Sequence, residues 1–248
     1  MYRESLAVCV IATVSAFISG YTSLDLPQTN STASTITPQE TPYIDHPPAD
    51  SAQSGPRYSS GDDIQVWWPN GSIDCSVSYI SMTTGLTAGH CGEEGAEVFS
   101  HGNKIGTIST NYLLNGLGLD IAEIALLPSV GDQIRPLQVE EHPQESVVFA
   151  NDHEGQKKSG ELISEQYSCQ RFLLNGQPVF AYVQSSSLRL SPGESGAPIY
   201  SSSGRLVALG QGGNGANVST VTPISLLDSA KSGDVDTVHK RAGGLCRR

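Results

Sequence analysis

The segment PGESGAP at positions 192–198 contains the residue types that a reactive serine needs. Ser195 lies in a glycine-rich turn followed by proline, and glycine permits the unusual backbone dihedrals that such a turn requires. The backbone N–H groups of Gly193 and Ser195 can then converge on one point and form an oxyanion hole for a tetrahedral intermediate. The same residues also fit an ordinary hairpin turn in a chain rich in serine and glycine, so this motif alone leaves both interpretations open.

The segment TAGHC at positions 87–91 places a histidine beside a cysteine. His90 and Cys91 are both common metal ligands, and Cys75 could supply a third. Adjacent ligands rarely point at one metal ion, and no C-x-x-C spacing occurs, so the sequence predicts no metal site. A structural disulfide at Cys91 and a catalytic role for His90 are the remaining interpretations.

Three motifs in chain order, TAGHC, DIAEIALL from Asp120 and GESGAP, resemble those of the chymotrypsin-like (trypsin-fold) serine peptidases, especially short secreted bacterial members. The resemblance covers about residues 61–230. It implies that Ser195 attacks a peptide carbonyl, that His90 takes and returns the proton, and that Asp120 orients the imidazole and stabilises its cation. Asp132 is a nearby competitor, but Asp120 leads an apolar strand and matches the family position. This chemistry implies no cofactor.

The same resemblance implies an all-β fold of two antiparallel six-stranded β-barrels, at about 61–135 and 145–222, with the site in the cleft between them. A short C-terminal helix is expected at about 224–230. Three consecutive residues resemble the segment along which such peptidases bind the substrate as an added β-strand: Gln211, Gly212 and Gly213.

The chain departs from the family pattern next to Ser195. Glu194 stands where the family usually has aspartate, and Ala197 stands where glycine is usual. The family's acid pairs with a freed N-terminus or an arginine, and no IVGG-like start is present, so we expect an internal arginine, Arg189 or Arg171, beside Glu194. Arg189 also lies close to the family's primary-pocket determinant, where it would favour an acidic P1 side chain. The cost of an unpaired buried glutamate favours the pairing with Glu194.

The N-terminal segment MYRESLAVCVIATVSAFISG predicts a signal peptide over about residues 1–22. Its apolar run is shorter than the roughly 20 residues that span a membrane, so we expect secretion and no stable membrane insertion after cleavage. Cys9 lies inside this segment, and the cysteines outside it are even in number, which favours disulfides in an exported protein. Cys75 and Cys91 flank one short strand-turn-strand stretch and form the first predicted pair, and Cys169 and Cys246 follow by elimination.

The rest of the chain divides into three segments that differ in amino-acid composition. Residues 23–60 are rich in Ser, Thr and Pro and poor in large apolar residues, which predicts a pro-segment or linker with a candidate processing point at Arg57. From residue 61, short apolar runs between turn signals predict about a dozen strands, as in a sandwich or barrels. The resemblance implies that residues 61–230 form the peptidase domain. Residues 231–248 form a basic tail, expected to be solvated unless Cys246 ties it down.

Composition narrows the classes of function. The chain has 248 residues and a formal net charge of −11, which argues against a nucleic-acid partner because such proteins carry a basic footprint. We predict a secreted, monomeric serine endopeptidase that acts on protein or peptide substrates. Glu194 and Ala197 motivate an alternative, a peptidase-fold protein without turnover that serves as a binding or adhesion module. A zinc-binding extracellular domain is a third hypothesis.

Overall fold

The structure is a computed structural model that describes residues 58–141, 146–152, 155–163, 167–174, 177–213 and 218–242 together with Cys246. The predicted signal peptide and almost all of the predicted pro-segment or linker lie outside these ranges, so both stay predictions. In the described part of the chain, no helix combines the length and apolar character needed to cross a membrane.

Antiparallel β-strands dominate the described chain and confirm the all-β prediction. In chain order they are β1 (Asp63–Trp68), β2 (Gly71–Ser76), β3 (Ser78–Ser81), β4 (Thr84–Thr87), β5 (Glu97–Ser100), β6 (Asn103–Asn111), β7 (Ala122–Leu126), β8 (Val147–Asn151), β9 (Lys157–Glu161), β10 (Ser168–Leu174), β11 (Gln177–Ser186), β12 (Pro198–Ser201), β13 (Leu206–Gly213) and β14 (Ser219–Pro223). The helices that accompany them are α1 (Pro128–Gly131), α2 (Leu227–Lys231) and α3 (Val235–Arg241).

Among the described residues, the first sheet has seven strands in the order β2-β1-β5-β6-β7-β4-β3. Its edge strands, β2 and β3, are successive pieces of chain separated by Val77 alone. Val77 stays bonded to the chain just before β1, because its N–H donates to the Asp62 carbonyl at 3.1 Å and its carbonyl accepts from Gly61 N–H at 2.7 Å. The sheet therefore curls back on itself into a barrel.

The second sheet of the described chain also has seven strands, in the order β10-β11-β14-β13-β12-β8-β9. It closes where β9 and β11 end. Ile163 N–H donates to the Ser185 carbonyl at 2.8 Å, and Ser187 N–H donates to the Glu161 carbonyl at 2.9 Å. β10 pairs with the earlier part of β11, so it lies outside this closed ring as an added strand.

The predicted two-barrel architecture is confirmed, with a small difference in strand number. The first barrel has a seventh strand because Val77 divides one long strand into β2 and β3, and the second has one because β10 is added. The sequence patterns did not predict β2, β9 or β10. The β9 segment KKSGE lacks the alternation of apolar and polar residues that identifies a half-buried strand.

Alternation with a period of two explains the strands that the sequence did predict. In β1, Ile64 and Val66 are buried whereas Asp63, Gln65 and Trp67 are exposed, because successive side chains of a strand point to opposite faces. The buried pair belongs to the core of the first barrel. The second barrel has a core of its own, which includes Val148, Leu188, Ile199 and Val221.

The described residues after β14 are mostly helical and are joined to the second barrel. The predicted helix is present as a 3₁₀ turn, Ile224–Leu226, followed by α2, and α3 then buries Val238 within the predicted tail. The disulfide Cys169–Cys246 joins the tail to β10, and Cys246 N–H donates to Tyr182 Oη at 2.8 Å. Cys246 thus anchors the tail to the second barrel. The sequence predicted a solvated tail unless Cys246 was bonded, and this exception applies.

Candidate active site

His90, Asp120 and Ser195 form one continuous chain of hydrogen bonds. Asp120 Oδ2 lies 2.7 Å from His90 Nδ1, and His90 Nε2 lies 3.0 Å from Ser195 Oγ. His90 follows β4 in the 3₁₀ turn Gly89–Cys91, Asp120 lies two residues before β7, and Ser195 lies three residues before β12. The first barrel therefore supplies the histidine and the aspartate, the second supplies the serine, and the structure brings together the three residues that the motifs singled out.

Asp120 fixes both the position and the protonation of the His90 ring. The carboxylate is buried, and its Oδ1 accepts from the His90 backbone N–H at 2.7 Å while Oδ2 faces Nδ1. An ionised carboxylate only accepts hydrogen bonds, so Nδ1 carries a proton and Nε2 of the neutral ring is left as an acceptor toward Ser195. Burial by itself lowers the pKa of His90, but the charge of Asp120 and the hydrogen bond to it raise this pKa above its ordinary value of 6.5.

The Ser195 hydroxyl has a second acceptor within reach. Its Oγ lies 2.8 Å from the Gln211 carbonyl oxygen as well as 3.0 Å from His90 Nε2. A hydroxyl has one proton to donate, so neutral His90 can receive it, whereas protonated His90 donates to Oγ and directs that proton to the Gln211 carbonyl. The protonation of His90 therefore determines whether Ser195 is poised to react.

Close packing around Gly89 sets the approach of His90 to Asp120. A Cβ at Gly89 would lie 2.8 Å from Leu113 Cβ and 3.1 Å from Asp120 Oδ1, so a larger residue would push the two segments apart. Buried Asn111 braces the same loop, because its Nδ2 donates to the carbonyls of Gly89 at 2.7 Å and Gly92 at 2.6 Å. These contacts hold the loop that carries His90 in one position.

The loop at 193–196, which we call the oxyanion loop, has two backbone N–H groups that find no partner among the described residues. Its other backbone groups are bonded as follows: the Gly193 carbonyl to Ser76 Oγ at 3.0 Å, Glu194 N–H to the Ser191 carbonyl at 3.1 Å, the Glu194 carbonyl to Ala197 N–H at 3.1 Å, the Ser195 carbonyl to Ser76 N–H at 2.7 Å, Gly196 N–H to the Gly210 carbonyl at 2.7 Å and the Gly196 carbonyl to Ser78 Oγ at 3.0 Å. Among the described residues, nothing pairs with Gly193 N–H or Ser195 N–H. The two groups proposed as oxyanion donors are thus the ones available to a ligand.

Both glycines of this loop have backbone conformations that side chains rarely adopt. Gly193 has a φ of 92° and Gly196 a φ of 91°. A Cβ at Gly196 would also lie 2.3 Å from the Ser76 carbonyl oxygen. The glycines of the PGESGAP segment therefore have a steric explanation, and this segment is a tightly packed loop between the barrels rather than an ordinary hairpin turn.

The prediction that an arginine pairs with Glu194 is wrong. The cation beside Glu194 is Lys158, on β9. Lys158 Nζ lies 2.7 Å from Glu194 Oε1, and the other carboxylate oxygen accepts from Ser191 N–H at 2.6 Å. Arg189 is exposed and Arg171 lies on the added strand β10. Glu194 is 2% exposed, so the ion pair anchors the loop from inside the second barrel.

The predicted substrate-binding segment forms one wall of a cavity. Gln211, Gly212 and Gly213 line a cavity of about 490 Å³ together with Ser185 and Thr220, and the residues that line it carry no charge. On the side of β13 that faces β12, Gly210 is still bonded to the chain before β12, because its N–H donates to the Ala197 carbonyl at 2.9 Å and its carbonyl accepts from Gly196 N–H at 2.7 Å. Beyond Gly210, this side of β13 pairs with no strand in the described ranges, so a peptide can bind along it. Arg189 is not among the lining residues, and its role in choosing an acidic P1 side chain stays a prediction.

A second cavity reaches the oxyanion loop. It has a volume of about 880 Å³, and Gly193 lies in its wall with Asp62, Asp74 and Asp152. Ser195 itself lines neither cavity, but the first is lined by Gln211, whose carbonyl lies 2.8 Å from Ser195 Oγ, and the second by Gly193.

Cys91 has a structural role beside the site. It forms a disulfide with Cys75, as the spacing predicts, and both residues are buried. Since the two sulfurs are bonded to each other, they are not thiolate ligands. The hypothesis of a zinc site formed by Cys75, His90 and Cys91 is therefore wrong. In the described ranges no group of three or more His, Cys, Asp or Glu residues is placed to hold a metal ion.

Sequence reasoning missed three residues that shape the site. Lys158 neutralises Glu194, Asn111 braces the His90 loop, and Ser76 binds two carbonyls of the oxyanion loop. Each acts across a large separation in sequence and belongs to no motif. The only available signal was the position of Ser76 directly after Cys75.

Solved structures place this fold among known proteases. The crystal structure of Thermobifida fusca protease A matches with a TM-score of 0.55 at 19% identity, over 71% of this chain and 97% of that one. Cellulomonas bogoriensis chymotrypsin matches with a TM-score of 0.55 at 16% identity, over 71% and 97%. Nocardiopsis protease matches with a TM-score of 0.53 at 15% identity, over 70% and 97%. The chain therefore has the chymotrypsin-like fold, as its motifs predict.

Comparison of sequences adds less about this chain than the comparison of structures. No family model matches the chain, and no curated protein matches it. The structural likeness at these identities concerns the fold, so the argument for a function has to come from the site itself.

Proposed function

We propose that the chain is a secreted serine endopeptidase that hydrolyses peptide bonds through an acyl-enzyme intermediate. The observation that carries this proposal is the unbroken hydrogen-bond chain from Asp120 through His90 to Ser195. Neutral His90 removes the proton from Ser195 as Oγ attacks the carbonyl carbon, and Asp120 stabilises the imidazolium that results. His90 then returns this proton to the leaving amine, and water releases the acyl group by the same route.

The unpartnered backbone donors support the same reaction. When Oγ attacks, the carbonyl oxygen becomes an oxyanion, and the N–H groups of Gly193 and Ser195 can both donate to it. No strand of the described ranges pairs with the edge of β13 at Gln211, Gly212 and Gly213, and this supports a substrate that binds in an extended conformation as an added strand. A peptide bond within a longer chain is therefore the substrate we propose.

Export is part of this proposal. The signal-peptide pattern at 1–22 supports it, and so do the two disulfides, which persist in oxidising compartments. Residues 23–57 would then precede the folded domain after export. Trimming near Arg57 tests whether they inhibit the site.

Labelling with a fluorophosphonate probe tests the activated serine. The full-length exported protein and protein trimmed near Arg57 are compared with their Ser195→Ala variants, and we expect labelling that disappears in the variant. Labelling only after trimming would identify residues 23–57 as an inhibitory pro-segment. Absence of labelling and of peptide cleavage in both folded forms would contradict the proposal and support a non-catalytic binding module.

The raised pKa of His90 predicts the pH dependence of catalysis. Only the neutral ring accepts the Ser195 proton, so kcat/KM should rise with pH and reach half of its maximum above pH 6.5. Because the folded state holds this proton more firmly than the unfolded state, the contribution of His90 to stability is complete below pH 6.5 and is lost as pH rises through the folded pKa. The measurement is kcat/KM between about pH 5 and 10. An acid limb centred below 6.5 would contradict this prediction.

A further inference from the structure

Ser76, at the end of β2 in the first barrel, touches the oxyanion loop of the second barrel twice. Its N–H donates to the Ser195 carbonyl at 2.7 Å, and its Oγ donates to the Gly193 carbonyl at 3.0 Å. The residue is buried, and water therefore does not compete freely for these hydrogen bonds. We propose that Ser76 is a positioning residue that holds the two oxyanion donors in their productive orientation, an inference that rests on the proposed peptidase function.

The pattern of bonded peptide planes explains how one residue can do this. The donor N–H groups belong to the peptide planes 192–193 and 194–195, while the carbonyls that Ser76 binds belong to the planes 193–194 and 195–196. Each donor plane is thus followed by a plane fixed by Ser76. Fixing the following plane limits the rotation about the intervening Cα atom, and so limits the direction of each donor.

The hydroxyl of Ser76 is needed because Gly193 has no side chain to restrict its backbone. Gly193 lacks a Cβ and has a φ of 92°, so its peptide planes can rotate more freely than those of other residues. Glu194 N–H, which shares the 193–194 plane with the bound carbonyl, donates to the Ser191 carbonyl at 3.1 Å. The two ends of this plane are therefore held from opposite barrels, and removing Ser76 Oγ frees one of them.

Ser76 is itself held rigidly enough to act as an anchor. Its carbonyl accepts from Thr87 Oγ1 at 2.9 Å, and β2 pairs with β1 up to Asp63 opposite Ser76. The preceding residue, Cys75, is bonded to Cys91 next to His90. The same short segment of β2 therefore connects the position of His90 to the position of the oxyanion donors.

Ser76→Ala tests the proposal, with Ser78→Ala as a matched control. Ser78 is also buried and its Oγ donates to the Gly196 carbonyl at 3.0 Å, beyond both donor planes. We expect Ser76→Ala to lower kcat for a peptide substrate about 10–100-fold with KM changed less than about threefold, since a displaced donor costs less than a deleted one. Ser78→Ala should shift the thermal midpoint by a similar amount but change kcat less than about threefold.

A tetrahedral inhibitor separates positioning from a merely structural role. A peptide boronate places an oxygen in the oxyanion hole, so its affinity should fall in Ser76→Ala by about the same factor as kcat/KM. Ser76→Thr retains the hydroxyl and should restore most of the loss. Equal losses of kcat in Ser76→Ala and Ser78→Ala, or unchanged boronate affinity, would overturn the positioning role alone. Wild-type protein that neither cleaves peptides nor binds the boronate would overturn the proposed function with it.

Discussion

Lys158→Met should remove most of the catalytic activity and lower the stability of the fold. Lys158 Nζ is the cation beside Glu194, at 2.7 Å, and Glu194 is 2% exposed. Methionine has a similar length but no charge, so among the described residues the variant leaves the buried carboxylate with Ser191 N–H as its partner. Breaking a buried ion pair by removing one partner typically costs about 3–5 kcal/mol.

The effect on activity follows from the position of Glu194 in the chain. It lies between Gly193 and Ser195, so a carboxylate that moves toward water displaces both oxyanion donors. We therefore expect kcat to fall at least about 100-fold, the scale observed when one oxyanion donor is lost. The measurements are denaturant unfolding for stability and peptide hydrolysis for kcat.

Lys157→Met is the matched control for this variant. Lys157 is the neighbouring residue on β9, but it is exposed and its Nζ lies 3.7 Å from the centre of the Phe149 ring. Its replacement should cost about 1 kcal/mol or less and leave kcat unchanged. Wild-type kcat in Lys158→Met would show that the ion pair does not hold the loop.

A double variant identifies the cause of the loss. Lys158→Met combined with Glu194→Gln removes both charges, so it should be more stable than Lys158→Met alone, because no uncompensated charge remains buried. A double-mutant cycle then gives the coupling energy of the pair. Equal stability of the double variant and Lys158→Met would contradict the explanation by an orphaned charge.

The sequence predicted the parts of the site that depend on local geometry. Gly89 permits close approach to Asp120, and Gly193 and Gly196 have positive φ values, so glycines had to stand beside His90 and Ser195. Such requirements place glycines next to functional residues and produce recognisable motifs. The Cys75–Cys91 pair was predictable for a similar reason, because its sequence separation is only 16 residues.

Contacts between distant segments could not be predicted in the same way. Lys158 lies on a strand whose sequence, KKSGE, has no apolar alternation, so neither the strand nor its inward-facing lysine was apparent. Two adjacent lysines look equivalent in sequence, and only the register of β9 sends one to Glu194 and the other to Phe149. Arg189 was favoured because a buried glutamate without a cation would be costly, whereas the folded chain exposes Arg189 and pairs Glu194 with Lys158.

Asp120→Asn should lower kcat by about 10⁴-fold, the magnitude seen when the acid of a Ser-His-Asp triad becomes an amide. The structure gives the direction in which the amide must turn. Asp120 Oδ1 accepts from the His90 backbone N–H at 2.7 Å, so the asparagine oxygen has to occupy that position. Its NH₂ group then faces Nδ1, which must become an acceptor.

The consequence is the wrong tautomer of His90. With Nδ1 accepting, the proton of the neutral ring lies on Nε2, where it points at Ser195 Oγ and prevents transfer of the hydroxyl proton. The hydroxyl proton is then left to the Gln211 carbonyl, 2.8 Å away. Fluorophosphonate labelling should slow with kcat while the thermal midpoint changes little. Asp132→Asn, at an exposed position after α1, should retain wild-type rates, and a loss of activity there with retention in Asp120→Asn would reassign the acid of the triad.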